Sequence, residues 1–170
     1  MRLTCLVVAV TLAVPVPIHA QTLPFSPSQT ADCLKKSPTR AKRRDCVGAS
    51  AEACRVKLKS NAPADIALCM TSETAFWDKR MGEAYDAMQR KAAEADAQFD
   101  TAKNTTAAPF KLTDDLAAQM AAWKDWRQKT CAVEAMLRRG TPYGVTAAAS
   151  CMMKLTGEQA LFLEKALAYR

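Results

Sequence analysis

Apolar residues recur at helical spacing through most of the chain. Between about Ala64 and Lys103 they fall at Phe76, Trp77, Met81, Ala84, Tyr85, Met88, Ala92 and Phe99, a stripe along one side of a helix. No proline interrupts this stretch, and Gly82 inside it costs roughly 1 kcal/mol relative to alanine without ending the helix. A second amphipathic run carries Leu116, Met120, Trp123, Trp126, Val133 and Leu137. Thr113 is its expected N-cap, with Asp114 and Asp115 near the positive end of the dipole. Arg138, Arg139 and then Gly140 mark its end. After the turn "GTPYGVT" a last helix is expected over about Ala147 to Ala168. Upstream, "QTLPFSPSQT" reads as a flexible lead. The stretch "ADCLKKSPTRAKRRDCVGASAEACRVKLKS" reads as two short helices broken near Ser37-Pro38, because proline disfavours helix in the residue before it. Alternating Val/Ile/Thr runs and Asn-Gly hairpin turns are absent, so no strands are expected. The pattern predicts an all-α, disulfide-stapled bundle with a long central helix and a C-terminal antiparallel helical hairpin.

The first residues, "MRLTCLVVAVTLAVPVPIHA", put Arg2 before an apolar run that is too short and Pro-broken to be a good membrane span. They predict a signal peptide over residues 1–20, cleaved after Ala20, and a periplasmic or secreted protein with no transmembrane segment. The rest divides into a flexible lead with a basic, Cys-rich helical segment (21–60) and a helical domain (61–170).

Cleavage leaves six cysteines: Cys33, Cys46, Cys54, Cys69, Cys131 and Cys151. An even number in an exported chain points to three disulfides, with connectivity open from the count alone. Antiparallel packing of the two short helices would bring Cys33 near Cys46 and leave Cys54 to meet Cys69 across "SNAPAD". Cys131 and Cys151 flank the Gly140 turn at ~12 Å and ~7.5 Å along their helices, and a hairpin with a slanted loop can bring them to bonding distance.

Cleavage also removes His19, the one histidine. That excludes Ser-His-Asp and Cys-His catalysis and a histidine metal site in the mature chain. The cysteine spacings of 13, 8, 15, 62 and 20 contain neither a zinc-type close pair nor a Cys-x-x-Cys redox motif. No Gly-rich phosphate loop is present. Glu73, Asp78 and Glu83 lie five residues apart on one helix and do not share a face neatly, which argues against a carboxylate-pair hydrolase. A non-catalytic protein with no cofactor and no metal is expected.

The mature chain holds 23 Lys/Arg against 17 Asp/Glu, and the excess belongs to Asp32–Lys59, with nine basic and three acidic residues. Lys42, Arg43 and Arg44 in "KKSPTRAKRRDC" are therefore candidates to face an anionic envelope surface or an acidic protein; the plainer reading is a solvated basic face. Nucleic acid is not an expected partner. In "AAWKDWRQKTC", residues Trp123, Trp126, Arg127, Thr130 and Cys131 return to one helix face. One reading is a core seam in which Arg127 crosses to an acid such as Glu73 or Asp78, since an unpaired buried charge is very costly. The other is ligand contact by Trp123 and Arg127. Tyr143 in "GTPYG" and Phe110 in "TAAPFKL" are loop aromatics that either anchor a partner or fold back onto the helices.

From Cys69 to Leu167 the chain resembles the periplasmic family named for the lysozyme inhibitor LprI. The pieces that carry this are "CMTSETAFWDKRMGEAYDAM", "AAWKDWRQKTC" and "GTPYGVTAAASCMMKLTGEQALFLEKAL", in that order. Met81-Gly82, Gln128 and Gln159 depart from the residues usual there. The resemblance implies a helical, disulfide-stapled domain, pairing of Cys131 with Cys151, and a protein partner of the lysozyme kind whose cleft is occluded. The alternative is an envelope-associated adaptor that holds anionic surfaces through its basic segment.

Overall fold

A computed structural model describes residues 23–101 and 111–168. The expected signal peptide and Phe110 lie outside them. Six helices are described: α1 (Ser28–Lys36), α2 (Arg40–Arg44), α3 (Ala49–Leu58), α4 (Pro63–Thr101), α5 (Leu112–Met136) and α6 (Gly144–Leu167). No strand occurs among the described residues. The protein is an all-α bundle, as its periodicity predicts.

The 39 residues of α4 span about 58 Å and form the spine. Its contacts give the topology. Asp96 meets Leu112 and Asp78 meets Arg127, so α5 runs antiparallel to α4. Pro63 meets Thr146 and Arg80 meets Glu164, so α6 runs parallel to α4 and lies along it as its main partner. The short helices α1–α3 pack over the N-terminal part of α4 and against α6. Disulfides join Cys33–Cys46, Cys54–Cys69 and Cys131–Cys151, which tie α1 to the α2–α3 corner, α3 to α4, and α5 to α6.

Trp77, Met81, Ala84, Met153, Leu161 and Leu163 are central to the buried core. Trp77 is fully enclosed and meets Phe76 edge-on at 5.2 Å. Gly157 lets α6 come this close. A Cβ there would lie 2.8 Å from a Val47 methyl and 3.3 Å from the Trp77 ring.

Three local expectations are corrected. The stretch read as a flexible lead is in part structural, because α1 begins at Ser28 and Thr30 is buried, bonded to Ser50 and Glu73. The basic segment holds three helices, because the chain breaks a second time before α3, where Gly48 takes φ +101°. That left-handed backbone is cheap only for glycine. Thr113 is not the cap of α5: the helix begins at Leu112 after Lys111, which makes no side-chain cap bond. The capping group comes from α4. Asp96 accepts from the Leu112 and Thr113 N–H groups at 2.9 and 3.1 Å, and from the Thr113 hydroxyl at 2.9 Å. Those backbone bonds hold the Asp96 carboxyl below the usual aspartate range.

Candidate functional site

Two polar clusters lie on successive turns of α4. The first centres on Glu73, which is fully buried. Its Oε1 accepts from the Thr30 hydroxyl at 2.8 Å, the Gly48 N–H at 2.8 Å and the Trp77 indole N–H at 3.1 Å. Its Oε2 accepts from the Ala51 N–H at 2.6 Å. Gly48 and Ala51 are the cap and first turn of α3, so the carboxyl group satisfies helix-terminal N–H groups at the positive end of that dipole. Thr30 and Ser50 complete the cluster, each accepting the other's backbone N–H through its hydroxyl. The structure thus places Glu73 inside the fold, where it cannot meet a partner. The paired signal in the sequence was Glu73-x3-Trp77, one helical turn apart.

The second cluster centres on Arg127 of α5, whose side chain is 12% exposed. Its Nη1 donates to Asp78 of α4 at 3.0 Å and to the Thr156 hydroxyl of α6 at 2.6 Å. The guanidinium carbon lies 4.9 Å from the centre of the Trp123 ring, a cation–π contact. Arg127 therefore joins three helices, and of the two acids considered it takes Asp78. Its Nε is buried without a hydrogen-bond partner.

Outside this junction the α5–α6 seam opens to solvent. A cleft of ≈ 360 Å³ is walled by Trp123 and Trp126 from α5 and by Glu158, Gln159 and Phe162 from α6, with Arg40 of α2 at its edge. Trp126 is half exposed rather than packed in the core. At the far end of the hairpin the apolar residues are also uncovered: Leu137 is 74% exposed, Met136 63% and Tyr143 61%, with Val133 and Val145 beside them in sequence. Tyr143 thus stays at the surface and does not fold back. The tip is held by Cys131–Cys151 just behind it and by the close approach of Gly144 to the Ala135 carbonyl.

The basic segment is partly neutralised. Arg43 pairs with Glu164 at 3.4 Å and Arg44 with Glu158 at 2.5 Å, both across to α6. Glu158 raises the Arg44 pKa further above its ordinary value. Arg40 lies over the Phe162 ring at 5.9 Å. Lys42 remains exposed. Two of the three singled-out cations therefore serve to dock α2 on α6.

Among the described residues no group of His, Cys, Asp and Glu side chains could hold a metal ion. None of the described helices is long and apolar enough to cross a membrane. Sequence reasoning missed Arg40, Gln159 and Phe162 as cleft residues, and Met136 as a tip residue. Their spacing was visible, but what covers them was not.

No solved structure matches the chain significantly. An uncharacterized 17.7 kDa protein in the puhA 5' region of Rhodobacter capsulatus is 42% identical over 139 residues, covering 82% of this chain and 85% of that protein. The model of the family described as lysozyme inhibitor LprI matches residues 54–163, a span that runs from the α3–α4 disulfide through the Arg127 junction and the hairpin to Leu163. The chain belongs to the lysozyme inhibitor LprI family.

Proposed function

We propose that the mature chain is an exported, non-catalytic binding protein that inhibits a lysozyme-type enzyme by inserting the α5–α6 hairpin tip into its cleft. The observation that carries this reading is the exposed apolar tip. Met136 and Leu137 before the turn and Tyr143 after it are all exposed, and a disulfide and a close helix approach hold that turn in place. A rigid apolar protrusion loses little freedom on docking, which is where much of the cost of association lies.

Charge fits the same geometry. Arg138 and Arg139 flank the tip, and Glu134 of α5 pairs with Arg138 at 3.0 Å. Glycoside hydrolases keep a pair of carboxyl groups in the cleft. Cations at the tip would meet those groups even where the rest of the enzyme is basic. The family supports a lysozyme as the class of partner. The pairing of Arg43 and Arg44 with α6 gives the anionic-surface alternative no added support.

The test is an assay of lysozyme activity on bacterial cell walls with the oxidised mature protein. Saturable inhibition at micromolar protein or below is expected. Leu137→Asp should weaken it at least about tenfold, as loss of a central interface residue does. Tyr143→Ala should act in the same direction, and Lys42→Glu should leave inhibition unchanged. Absence of inhibition across several lysozyme types overturns the proposal.

A further inference from the structure

The aromatic cleft on the α5–α6 seam is distinct from the hairpin tip and has a different chemistry. Gln119, Trp123 and Trp126 face it from α5, and Leu155, Gln159 and Phe162 face it from α6. Each set follows the spacing i, i+4, i+7, so each forms one straight wall of a helix. The walls are fixed by the Cys131–Cys151 bond and by Arg127. The volume of ≈ 360 Å³ falls in the range of small-ligand sites, roughly 300–1,000 Å³.

Gln159 is the second observation. It is 8% exposed, and its Nε2 is buried with no hydrogen-bond partner. Buried amide donors are ordinarily satisfied, and an unmatched one calls for a reason. Here the amide belongs to a residue that lines an open aromatic cleft, and a rotation of the side chain that turns the buried Nε2 outward would let an acceptor in the cleft supply the missing bond.

We infer that this cleft is a binding site for a neutral oligosaccharide. The C–H faces of sugar rings pack on indole faces such as that of half-exposed Trp126, with Arg127 and Arg40 lying over the Trp123 and Phe162 rings. Sugar hydroxyl or acetamido oxygens accept from an amide such as that of Gln159. The charges at the cleft favour an uncharged ligand. The lining carries one acid and one cation, Glu158 and Arg40, and no cluster of either sign that would select a charged ligand. A partner helix is a poorer fit, because Gln119, Glu158 and Gln159 interrupt the apolar surface that a helix face would need. A second cleft of ≈ 340 Å³, lined by Thr130, Glu134 and Lys154 among others, shares Leu155 with the first. An extended glycan therefore has room to continue along the seam toward the tip.

This inference does not depend on lysozyme inhibition, and its test contains no lysozyme. The oxidised mature protein is titrated with chitotetraose and, separately, cellotetraose, following indole fluorescence and heat. Saturable binding in the millimolar range or tighter is expected, with a change in tryptophan emission. Binding of chitotetraose alone would assign the contact to an acetamido group; binding of both would assign it to the hexose rings and hydroxyls. Trp126→Ala and Gln159→Leu should each weaken binding about tenfold or more, equivalent to roughly 1.4 kcal/mol. Gln159→Leu should do so with an unchanged or raised Tm, since it removes an unpaired buried amide. Leu137→Asp should bind the sugars normally. No binding of either tetrasaccharide, or binding that survives both cleft substitutions, overturns the inference.

Discussion

The Glu73 and Arg127 clusters begin one turn apart on the same helix, yet they are built on opposite plans. Glu73 is sealed, and its two oxygens accept four hydrogen bonds from α1, α3 and its own helix. Arg127 is only partly matched: Nη1 is shared between Asp78 and Thr156, while its own Nε and the Gln159 Nε2 are buried without partners. Natural cores rarely leave buried donors unmatched, because each costs roughly 1–3 kcal/mol. The comparison teaches that the α1–α3 side of α4 is finished as a fold, while the α5–α6 side leaves polar groups unmatched beside an open cleft.

The strongest way to break this contrast is at Glu73. Glu73→Ala would strand the N–H groups of Gly48 and Ala51 and the Thr30 hydroxyl inside the core. A loss of roughly 3–5 kcal/mol is expected, with Tm lowered on the order of 10 °C. Differential scanning calorimetry reads this directly. A change within about 1 kcal/mol would mean that the cluster is not the structural centre described.

The Arg127 junction gives a smaller and asymmetric effect. Asp78→Ala leaves a mostly buried guanidinium without its acid and should cost roughly 2 kcal/mol, discounted for the partial exposure of Asp78. Arg127→Met removes the charge itself and keeps the volume, and should fall within about 1 kcal/mol of the parent. Urea unfolding of the two variants decides the point. An Arg127→Met loss larger than that of Asp78→Ala would show that the Thr156 bond and the Trp123 contact, rather than the ion pair that both variants break, hold the junction.

Asp96 offers the mildest test, because it is a carboxyl group on α4 that solvent can reach. Its folded pKa lies below its ordinary value, so its contribution is present above the unfolded pKa of about 3.9 and is lost as pH falls through the folded one. Asp96→Asn should therefore flatten the acid limb of the Tm–pH profile below about pH 5 and lower Tm at neutral pH. An acid limb identical to the parent's would remove Asp96 from the cap of α5.

Much of the framework was legible in the amino acids. The apolar stripe from Phe76 to Ala92 marks α4, and Arg138-Arg139-Gly140 marks the close of α5, since both signals act within a few turns of chain. The hairpin that carries Cys131 and Cys151 follows from the same local rules. The requirement that Arg127 have an acid was also readable, because burial of a lone charge is so unfavourable. Which acid it takes was decided by helix register, which brings Asp78 rather than Glu73 across from α5. The fate of Glu73 was settled by donors 22 to 43 residues away, at Ala51, Gly48 and Thr30, and no local pattern announces a bond of that span. Likewise, Trp126, Val133 and Leu137 have the spacing of a buried stripe and are exposed. Periodicity tells which residues share a helix face; only the placement of the neighbouring helices decides whether anything covers it.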